Sequence, residues 1–368
     1  MKRIAVLANG PGELWGWGRP LVKAFKETGN TVDLYLLPCQ YASGAEERIG
    51  KLTGADRVIP PSESWKKVVL PGKQNPDCVV QLGGDLFFGR MLASRTGVPL
   101  FSYSYGAKKG LDACRQVFTA CDFMAGQIME ASGLRSVEVV GDLVADGLRM
   151  DFGEAGWKRE GLRVALFPGS RPAIRKKALA YMEEFLVFAR RLLPGTQWMV
   201  LLYPFCEPDE APLWEMAGFT VSRAGTGATL EGAEIALTQP GTNTLELLHA
   251  EVPSVVALPE AFLENVPAPT MLAPFFRLPG IGREIKRKAF RKYVAKRGFL
   301  SWPNRIAGEE LFPEITGELS PEALAKAFAR YARDRGWIEN TRELLGRIDR
   351  GPSNAAARLR ERIIGALP

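Results

Sequence analysis

The chain has 368 residues, a length that predicts about two domains of ordinary size, each able to bury a core. Hydrophobic residues make up 46% and charged residues 24%, which excludes a disordered, collagen-like or coiled-coil chain. Lys and Arg number 48 against 41 Asp and Glu, a net charge of +7 spread along the whole chain. This balance by itself indicates no particular anionic partner.

The spacing of the cysteines and the histidine and the length of the apolar runs further limit the class of protein. The five cysteines and the single histidine have no spacing typical of a zinc site, and we expect a reduced, cytoplasmic compartment. No apolar run approaches the roughly 18 residues that a membrane span requires. We therefore expect any membrane contact to be peripheral, and we interpret the N-terminus as a first β-strand rather than a signal peptide.

Short apolar runs alternate with amphipathic helical stretches along the chain. The first strand-like runs are residues 4–8, 32–37, 78–82 and 99–103. This alternation is typical of βαβ units and a parallel sheet, so the fold class is α/β with Rossmann-like domains. The pattern pauses at the polar stretch 151–156 and then resumes. We predict an N-terminal domain of residues 1–155, a C-terminal domain of residues 156–340 and a helical tail of residues 341–368.

The loop after the first strand, residues 10–16, contains three glycines. It has one residue too many before its third glycine to match a dinucleotide-binding fingerprint. As a loop at the edge of the sheet, it is expected to direct the carboxylate of Glu13 into a cleft between the domains. Trp15 and Trp17 either supply apolar surface to a ligand there or cover the edge of the sheet.

A second carboxylate, Asp85, follows another strand of the N-terminal half in the segment Gln-Leu-Gly-Gly-Asp. From that position it is a candidate general base, and the alternative is a helix cap. His249 is the only histidine and lies within a helical stretch, which argues against a histidine-based triad. The sequence also lacks an Asp-x-Asp motif and a P-loop, which argues against a divalent-metal nucleotide-sugar site and a P-loop NTPase.

The C-terminal half contains a strand that leads through Gly169, Ser170 and Arg171 into a helix. Glycine allows close approach of the backbone, the helix N-terminus offers free N–H groups, and the arginine adds a cation, so we predict a diphosphate site. Residues 239–246 repeat this pattern after a later strand. Ordinary turns and helix caps are the alternative, but two such loops at strand ends favour ligand binding.

Residues 266–280 are apolar and proline-rich, and the segment that follows is strongly basic. An apolar stretch beside cations is typical of contact with an anionic membrane surface. A solvated helix is the alternative, and no nucleic-acid-binding module surrounds these residues. The predicted membrane contacts are Lys286, Arg287, Lys288, Arg291 and Lys292.

Three sequence blocks resemble, in the same order, those of lipid A disaccharide synthases. They are residues 166–171 (Leu-Phe-Pro-Gly-Ser-Arg), residues 241–246 (Gly-Thr-Asn-Thr-Leu-Glu) with Val-Pro downstream, and residues 301–314 (Ser-Trp-Pro-Asn-Arg-Ile-Ala-Gly-Glu-Glu-Leu-Phe-Pro-Glu). A Gly-Glu-x-x-Gly match at residues 12–16 and a Val-Gly match at residues 140–141 extend the resemblance over most of the chain. It implies a GT-B-type architecture with a C-terminal helical segment that crosses back to the N-terminal domain.

The resemblance implies an inverting, metal-independent glycosyltransferase without a cofactor, peripherally associated with the cytoplasmic face of the inner membrane. Such an enzyme moves a diacylglucosamine unit from its UDP derivative to diacylglucosamine 1-phosphate. The N-terminal domain then binds the acceptor, and the C-terminal domain binds the UDP-sugar. Asp85 is the candidate base, with Glu13 or Asp142 as the alternatives. The UDP-binding residues implied are Gly169, Ser170, Arg171, Gly241, Thr242, Asn243, Thr244, Glu246, Asn304 and Arg305.

Departures from the family pattern concentrate in the N-terminal half. Trp15 and Trp17 stand where the family has Ser and Asp, Asp142 stands where it has His, and Asp85 matches a family aspartate only after a small shift. The donor-side blocks are therefore kept while the acceptor-side blocks differ. The alternatives are a transferase with another lipid or polyprenyl acceptor, a UDP-sugar epimerase and a non-catalytic binding protein.

Overall fold

A computed structural model describes residues 1–38, 44–70, 75–169, 171–202, 204–263 and 298–368. The chain divides into two compact units, the first formed by residues 1–150 together with 349–368 and the second by residues 151–348. The chain thus passes from one unit to the other after Met150 and returns after Ile348, whereas the sequence analysis placed its boundaries after residues 155 and 340.

The first unit contains a sheet of seven parallel strands among the described residues. These strands are β1 (Arg3–Ala8), β2 (Thr31–Leu36), β3 (Arg57–Ile59), β4 (Cys78–Leu82), β5 (Leu100–Tyr103), β6 (Gln116–Thr119) and β7 (Glu138–Val139). The helices are α1 (Pro11–Glu13), α2 (Arg19–Lys26), α3 (Glu46–Leu52), α4 (Pro61–Val69), α5 (Phe87–Thr96), α6 (Asp122–Ser132) and α7 (Leu143–Arg149). A π-helical turn, Leu14–Gly18, joins α1 to α2.

The strand order in this sheet is β3-β2-β1-β4-β5-β6-β7. The chain builds outward from β1 in one direction and then restarts beside β1 with β4, so the topological switch point lies between those two strands. β1 and β4 are buried over almost their whole length, as expected for central strands covered by helices on both faces. In open parallel sheets, ligands bind beyond the carboxyl ends of the strands at such a point.

The second unit contains six parallel strands among its described residues. They are β8 (Arg163–Leu166), β9 (Gln197–Val200), β10 (Thr220–Val221), β11 (Ile235–Thr238), β12 (Ser254–Pro259) and β13 (Glu314–Gly317). The described helices are α8 (Pro172–Leu192), α9 (Glu210–Met216), α10 (Thr226–Glu231), α11 (Asn243–His249), α12 (Glu260–Leu263), α13 (Trp302–Ala307), α14 (Pro321–Arg333) and α15 (Arg335–Arg347).

The strand order of the second sheet is β10-β9-β8-β11-β12-β13, which places its switch point between β8 and β11. Helices α8 and α14 pack on one another and bury Phe185, Trp198 and Phe328, whose rings meet at centroid distances of 5.6–6.3 Å. These aromatic contacts form the centre of the hydrophobic core of the unit. The core supports the two loops that carry the predicted diphosphate residues.

The last helix, α16 (Ala355–Gly365), packs against α2 and α7 of the first unit. The segment leading to it lies so close to the first unit that a Cβ at Gly141 would be 1.9 Å from the carbonyl oxygen of Pro352. A Cβ at Gly351 would be 1.9 Å from that of Ala120. The chain therefore crosses back to the first unit through contacts that only glycine permits at both positions.

The predicted α/β class, the two parallel-sheet units and the returning C-terminal helix are confirmed. Within the described ranges, none of the helices has both the length and the apolar character needed to cross a bilayer.

Candidate active site

The first candidate loop follows β8 and leads into the amino end of α8. Gly169 adopts a φ of +105°, which is a left-handed conformation that favours glycine. Arg171 precedes the helix in an extended conformation, Pro172 occupies its first turn, and no acidic residue lies in that turn. The start of a 21-residue helix thus presents backbone N–H groups and the positive end of the helix dipole next to Arg171, an arrangement suited to an anion.

The second loop follows β11 and leads into α11. Asn243 donates hydrogen bonds from Nδ2 to Thr238 Oγ1 and to the carbonyl oxygen of Gln239, and Thr244 Oγ1 donates to the carbonyl of Gly241 at 2.7 Å. These bonds fix the turn from both sides. Gly241 and Thr242 at its tip are exposed, Asn243 is half-buried and Thr244 is buried.

A direct hydrogen bond joins the two loops. Gln239 Nε2 donates to the carbonyl oxygen of Pro168 at 3.2 Å, and the backbone N–H of Phe167 donates to the carbonyl of Leu237 at 3.0 Å. Because β8 and β11 are paired strands on either side of the switch point, both glycine loops open at the same place on the edge of the sheet. This is the position where an open parallel sheet binds a ligand.

The block containing Asn304 lies in and after α13, beside the second loop. The side chain of Asn304 is fully buried. Its Nδ2 donates to the carbonyl of Phe312 at 2.7 Å and to Glu314 at 3.0 Å, and its Oδ1 accepts from the N–H groups of Leu311 and Phe312 at 3.0 and 2.8 Å. Protein groups thus use both ends of this amide. The side chain of Asn304 therefore orders residues 311–314, and its contact with the nucleotide stays a prediction.

Helix α13 is attached to the second loop through its backbone. The N–H of Trp302 donates to Thr244 Oγ1 at 3.2 Å, and the guanidinium of Arg305 lies 4.0 Å from the centre of the Trp302 ring. Arg305 and Glu246 are both half-buried. The structure therefore brings Arg305 to the same side of the unit as the second loop, with its guanidinium over the indole ring of Trp302.

The corresponding edge of the first unit carries Glu13. Its Oε2 accepts from the backbone N–H groups of Asn9 and Gly10 at 3.3 and 3.4 Å. Its Oε1 would lie 2.7 Å from a Cβ at Gly83, so the carboxylate rests on the turn after β4. Burial raises the pKa of Glu13, a shift that Lys108 and the two N–H groups oppose. Glu13 thus lies at the switch point of the first sheet with a pKa that burial holds above its ordinary value.

The turn after β4 contains Gly83 and Gly84, with φ values of +57° and +62°. Cβ atoms there would lie 2.9 Å from the Trp17 ring and 2.6 Å from the Asn9 amide, so both glycines are required by conformation and by space.

Asp85 is exposed, and its Oδ1 accepts from the backbone N–H of Phe87 at 3.0 Å. It therefore acts as a cap at the start of α5, which was the alternative interpretation of this residue. Asp85 stays a candidate base by position only.

Trp15 and Trp17 are 6% and 4% exposed. Arg19 stacks 3.7 Å from the centre of the Trp15 ring, and the Trp17 ring makes edge contacts with Tyr103 and Tyr105. Both rings are packed inside the first unit, and the place of the two tryptophans on the acceptor side stays a prediction.

A buried hydrogen-bond chain extends from Trp17. Its Nε1 donates to the hydroxyl of Tyr105 at 2.8 Å, that hydroxyl donates to Asp142, and Asp142 accepts from the N–H of Val144 at 3.0 Å. Burial, followed by the charge of Asp142, raises the pKa of Tyr105 well above its usual value. Trp17 and Asp142, two of the departures from the family pattern, thus belong to one network.

Ser170 and the predicted membrane contacts Lys286, Arg287, Lys288, Arg291 and Lys292 lie outside the described residues. Within the described ranges, no group of three or more His, Cys, Asp or Glu side chains is placed to hold a metal ion.

Sequence reasoning missed Gln239 and Arg175, which hold the two loops of the second unit in place. Gln239 directly precedes the Pro-Gly of its loop, and Arg175 lies one helical turn after Arg171. This last spacing was the one available signal that a second cation lies close to the first loop.

No known family profile matches the chain, and no curated protein sequence matches it. Several solved structures match the chain. A putative UDP-N-acetylglucosamine 2-epimerase from Listeria monocytogenes has 12% identity, with 99% of this chain and 95% of that chain covered and a TM-score of 0.63. The S. aureus MnaA–UDP structure has 13% identity, 99% and 96% coverage and a TM-score of 0.60. MurG from Acinetobacter baumannii has 14% identity, 99% and 100% coverage and a TM-score of 0.56.

The chain has a GT-B-type fold. The likeness extends over both units and over the whole length of these structures, so the expected architecture is confirmed. At 12–14% identity, these neighbours establish the fold of the chain and leave its activity to be argued from its own residues.

Proposed function

We propose that the protein is a UDP-sugar-dependent enzyme that binds the diphosphate of its donor at the loops after β8 and β11. The observation that carries this proposal is the hydrogen bond from Gln239 to Pro168, which joins two glycine loops at the switch point of the second sheet. Arg171 and the amino end of α8 supply positive charge there. Structural neighbours described as a UDP complex and as UDP-sugar enzymes support uridine as the nucleoside.

The reaction we propose is inverting, metal-independent transfer of a (diacyl)glucosamine unit to a glucosamine 1-phosphate glycolipid, forming a lipid A-type disaccharide. The sequence blocks at residues 166–171, 241–246 and 301–314 support it. The acceptor hydroxyl loses its proton to the base while its oxygen forms a bond to the anomeric carbon. The bond from that carbon to the diphosphate oxygen breaks, and UDP leaves with the electron pair. Arg171 and the α8 amino end stabilise the charge that develops on the diphosphate.

Glu13 is the base we favour, because it combines position with environment. It lies at the switch point of the first sheet, and burial raises its pKa above that of an ordinary carboxyl group, so that it holds a proton more tightly. Asp85 is the second candidate. Its carboxylate is exposed and already accepts a hydrogen bond from the start of α5.

A second candidate function is UDP-sugar epimerisation. It is favoured by the higher TM-scores of the Listeria monocytogenes and S. aureus structures, 0.63 and 0.60 against 0.56 for MurG. Epimerisation yields product from the donor alone, whereas transfer requires an acceptor. Two further alternatives are sugar transfer to a different lipid or polyprenyl acceptor and nucleotide binding without turnover.

We also propose that the protein works at the cytoplasmic face of the inner membrane as a peripheral protein. The basic residues between 283 and 297 follow an apolar stretch, a pattern suited to an anionic lipid surface. Binding to vesicles should rise with their content of anionic lipid and fall with salt. Binding that depends on neither would contradict an electrostatic contact.

The deciding experiment measures UDP release and identifies the products by mass spectrometry. The protein receives UDP-diacylglucosamine with and without diacylglucosamine 1-phosphate. UDP that appears only with the acceptor, together with a tetraacyl disaccharide phosphate, supports the transferase. A parallel reaction receives UDP-N-acetylglucosamine alone, and an isomerised sugar nucleotide formed there supports the epimerase. UDP binding without any product in these reactions supports the non-catalytic alternative.

A further inference from the structure

Arg175 is a fully buried arginine next to the first candidate loop. Its Nε and Nη2 form a two-point ion pair with Glu210, with a distance of 2.9 Å from Nη2 to Oε2. Nη2 also donates to the carbonyl oxygen of Phe205 at 2.9 Å, and Nη1 lies 3.5 Å from that of Gly169. The guanidinium is therefore held in one orientation by groups on two segments of the second unit.

These contacts tie together two strand-end segments. Gly169 belongs to the loop after β8, whereas Phe205 and Glu210 lie between β9 and the start of α9. Glu210 also accepts from the backbone N–H of Glu207 at 3.3 Å. Since β8 and β9 are neighbours in the sheet, the ion pair fixes the first candidate loop against the adjacent edge of the same unit.

The chemistry of the pair points to positioning rather than to stability. Removing two charges from water costs much of what their attraction returns, so an apolar pair of similar volume packs at least as well. The second unit has a more ordinary ion pair, Arg335 with Glu234, in which Arg335 is 60% exposed and Glu234 precedes β11 at the opposite edge of the sheet. The buried pair is the one that reaches the backbone of the diphosphate loop.

We propose that Arg175, held by Glu210, is a positioning residue for the donor diphosphate, an inference that rests on the proposed function. Holding the carbonyl of Gly169 near the buried guanidinium fixes the backbone of the loop that leads into α8, where we propose that the phosphate binds. Arg175 contacts protein groups, whereas Arg171 lies at the start of α8, where we propose that the ligand binds.

The test compares the affinities of UDP and uridine by titration calorimetry and ligand displacement on the full chain. Wild-type protein should bind UDP more tightly than uridine. Arg175→Met should weaken UDP binding by roughly tenfold to a hundredfold, the effect of displacing a binding group by about an ångström, and should leave uridine binding unchanged. Arg175→Lys should recover part of the loss, because it keeps the charge opposite Glu210. Arg335→Gln is the matched control and should change neither affinity.

Three results would overturn the proposal. Unchanged UDP affinity in Arg175→Met would assign Arg175 a purely structural role. An equal loss of affinity for UDP and for uridine would do the same. Wild-type protein that does not prefer UDP over uridine removes the proposed diphosphate site itself, and this is seen before any variant is made. If Arg175→Met does not fold, Glu210→Gln takes its place, because it keeps the side-chain volume and removes the charge that holds Arg175. The test is again whether UDP affinity falls more than uridine affinity.

Discussion

Gln239 and Pro168 are 71 positions apart in the chain and are joined by one hydrogen bond, from the Gln239 amide to the Pro168 carbonyl. The bond crosses the switch point of the second sheet and sets the distance between its two glycine loops. A ligand that contacts both loops therefore depends on it.

Replacing Gln239 by Leu should weaken UDP binding by about twofold to tenfold, which corresponds to one ordinary hydrogen bond. Gln197→Leu is a matched control, since Gln197 is similarly half-buried and bonds to the Lys158 and Glu160 carbonyls at the opposite end of the sheet. Titration calorimetry with UDP measures both variants. Equal losses in the two would show that the effect is a general loosening of the unit.

Glu13→Gln should lower turnover by roughly 10²- to 10⁴-fold if Glu13 is the general base, while UDP affinity stays the same. Because burial raises the pKa of Glu13, wild-type activity should decline as pH falls through a value above that of an ordinary carboxyl group. Glu27→Gln is the control, since Glu27 is exposed and pairs only with Lys23 among the described residues. Normal turnover in Glu13→Gln would transfer the role to Asp85, which Asp85→Asn then tests.

Glu13→Gln, which should lower turnover, should raise the stability of the folded protein at neutral pH. A folded-state pKa above the unfolded one means that folding favours the protonated carboxyl, so stability declines as pH rises above the unfolded value. Glu13→Gln removes this penalty and should raise the melting temperature at neutral pH. A melting temperature that falls equally at acidic and neutral pH would contradict the expected cost of ionising Glu13.

Gly141→Ala should lower the free energy of unfolding by about 3 kcal/mol or more, combining backbone strain with overpacking. The φ of Gly141 is +100°, and a Cβ there would lie 1.9 Å from the Pro352 carbonyl oxygen. Gly29→Ala is the control, because Gly29 has a φ of +77° with no atom within 4 Å of its Cβ position; it should cost only about 1 to 2 kcal/mol. Denaturant unfolding compares the two, and equal losses would contradict a close crossing.

Tyr105→Phe should destabilise the first unit by about 1 to 3 kcal/mol, because it leaves buried polar groups of Trp17 and Asp142 without their shared hydroxyl. Unfolding monitored by tryptophan fluorescence measures the loss. Tyr181→Phe is the matched control: Tyr181 is half-buried and donates one bond to the Leu319 carbonyl. Equal losses of stability in both variants would show that the Trp17–Tyr105–Asp142 chain stabilises the protein no more than a single hydroxyl hydrogen bond does.

The alternation of apolar runs predicts the parallel sheets, because hydrophobic periodicity is a local property of the chain. The positions of Gly169 and Gly241 were also predictable, since each lies three residues after the end of a strand. Contacts between residues far apart in sequence were not predictable. Nothing near Asn304 indicates that its amide is used by residues 311 to 314, and Arg175 meets Glu210 only after the sheet has formed. Trp15 and Trp17 look available in the sequence because their burial depends on α7 and β5.

The returning helix α16 has a consequence for how the protein is made. It belongs to the first unit but follows the whole of the second in the chain. During synthesis from the amino end, the ribosome therefore completes every residue of the second unit before it produces Ala355–Gly365. The unit that emerges first is the last to be finished, and until then the surface of α2 and α7 that α16 covers is left without its partner.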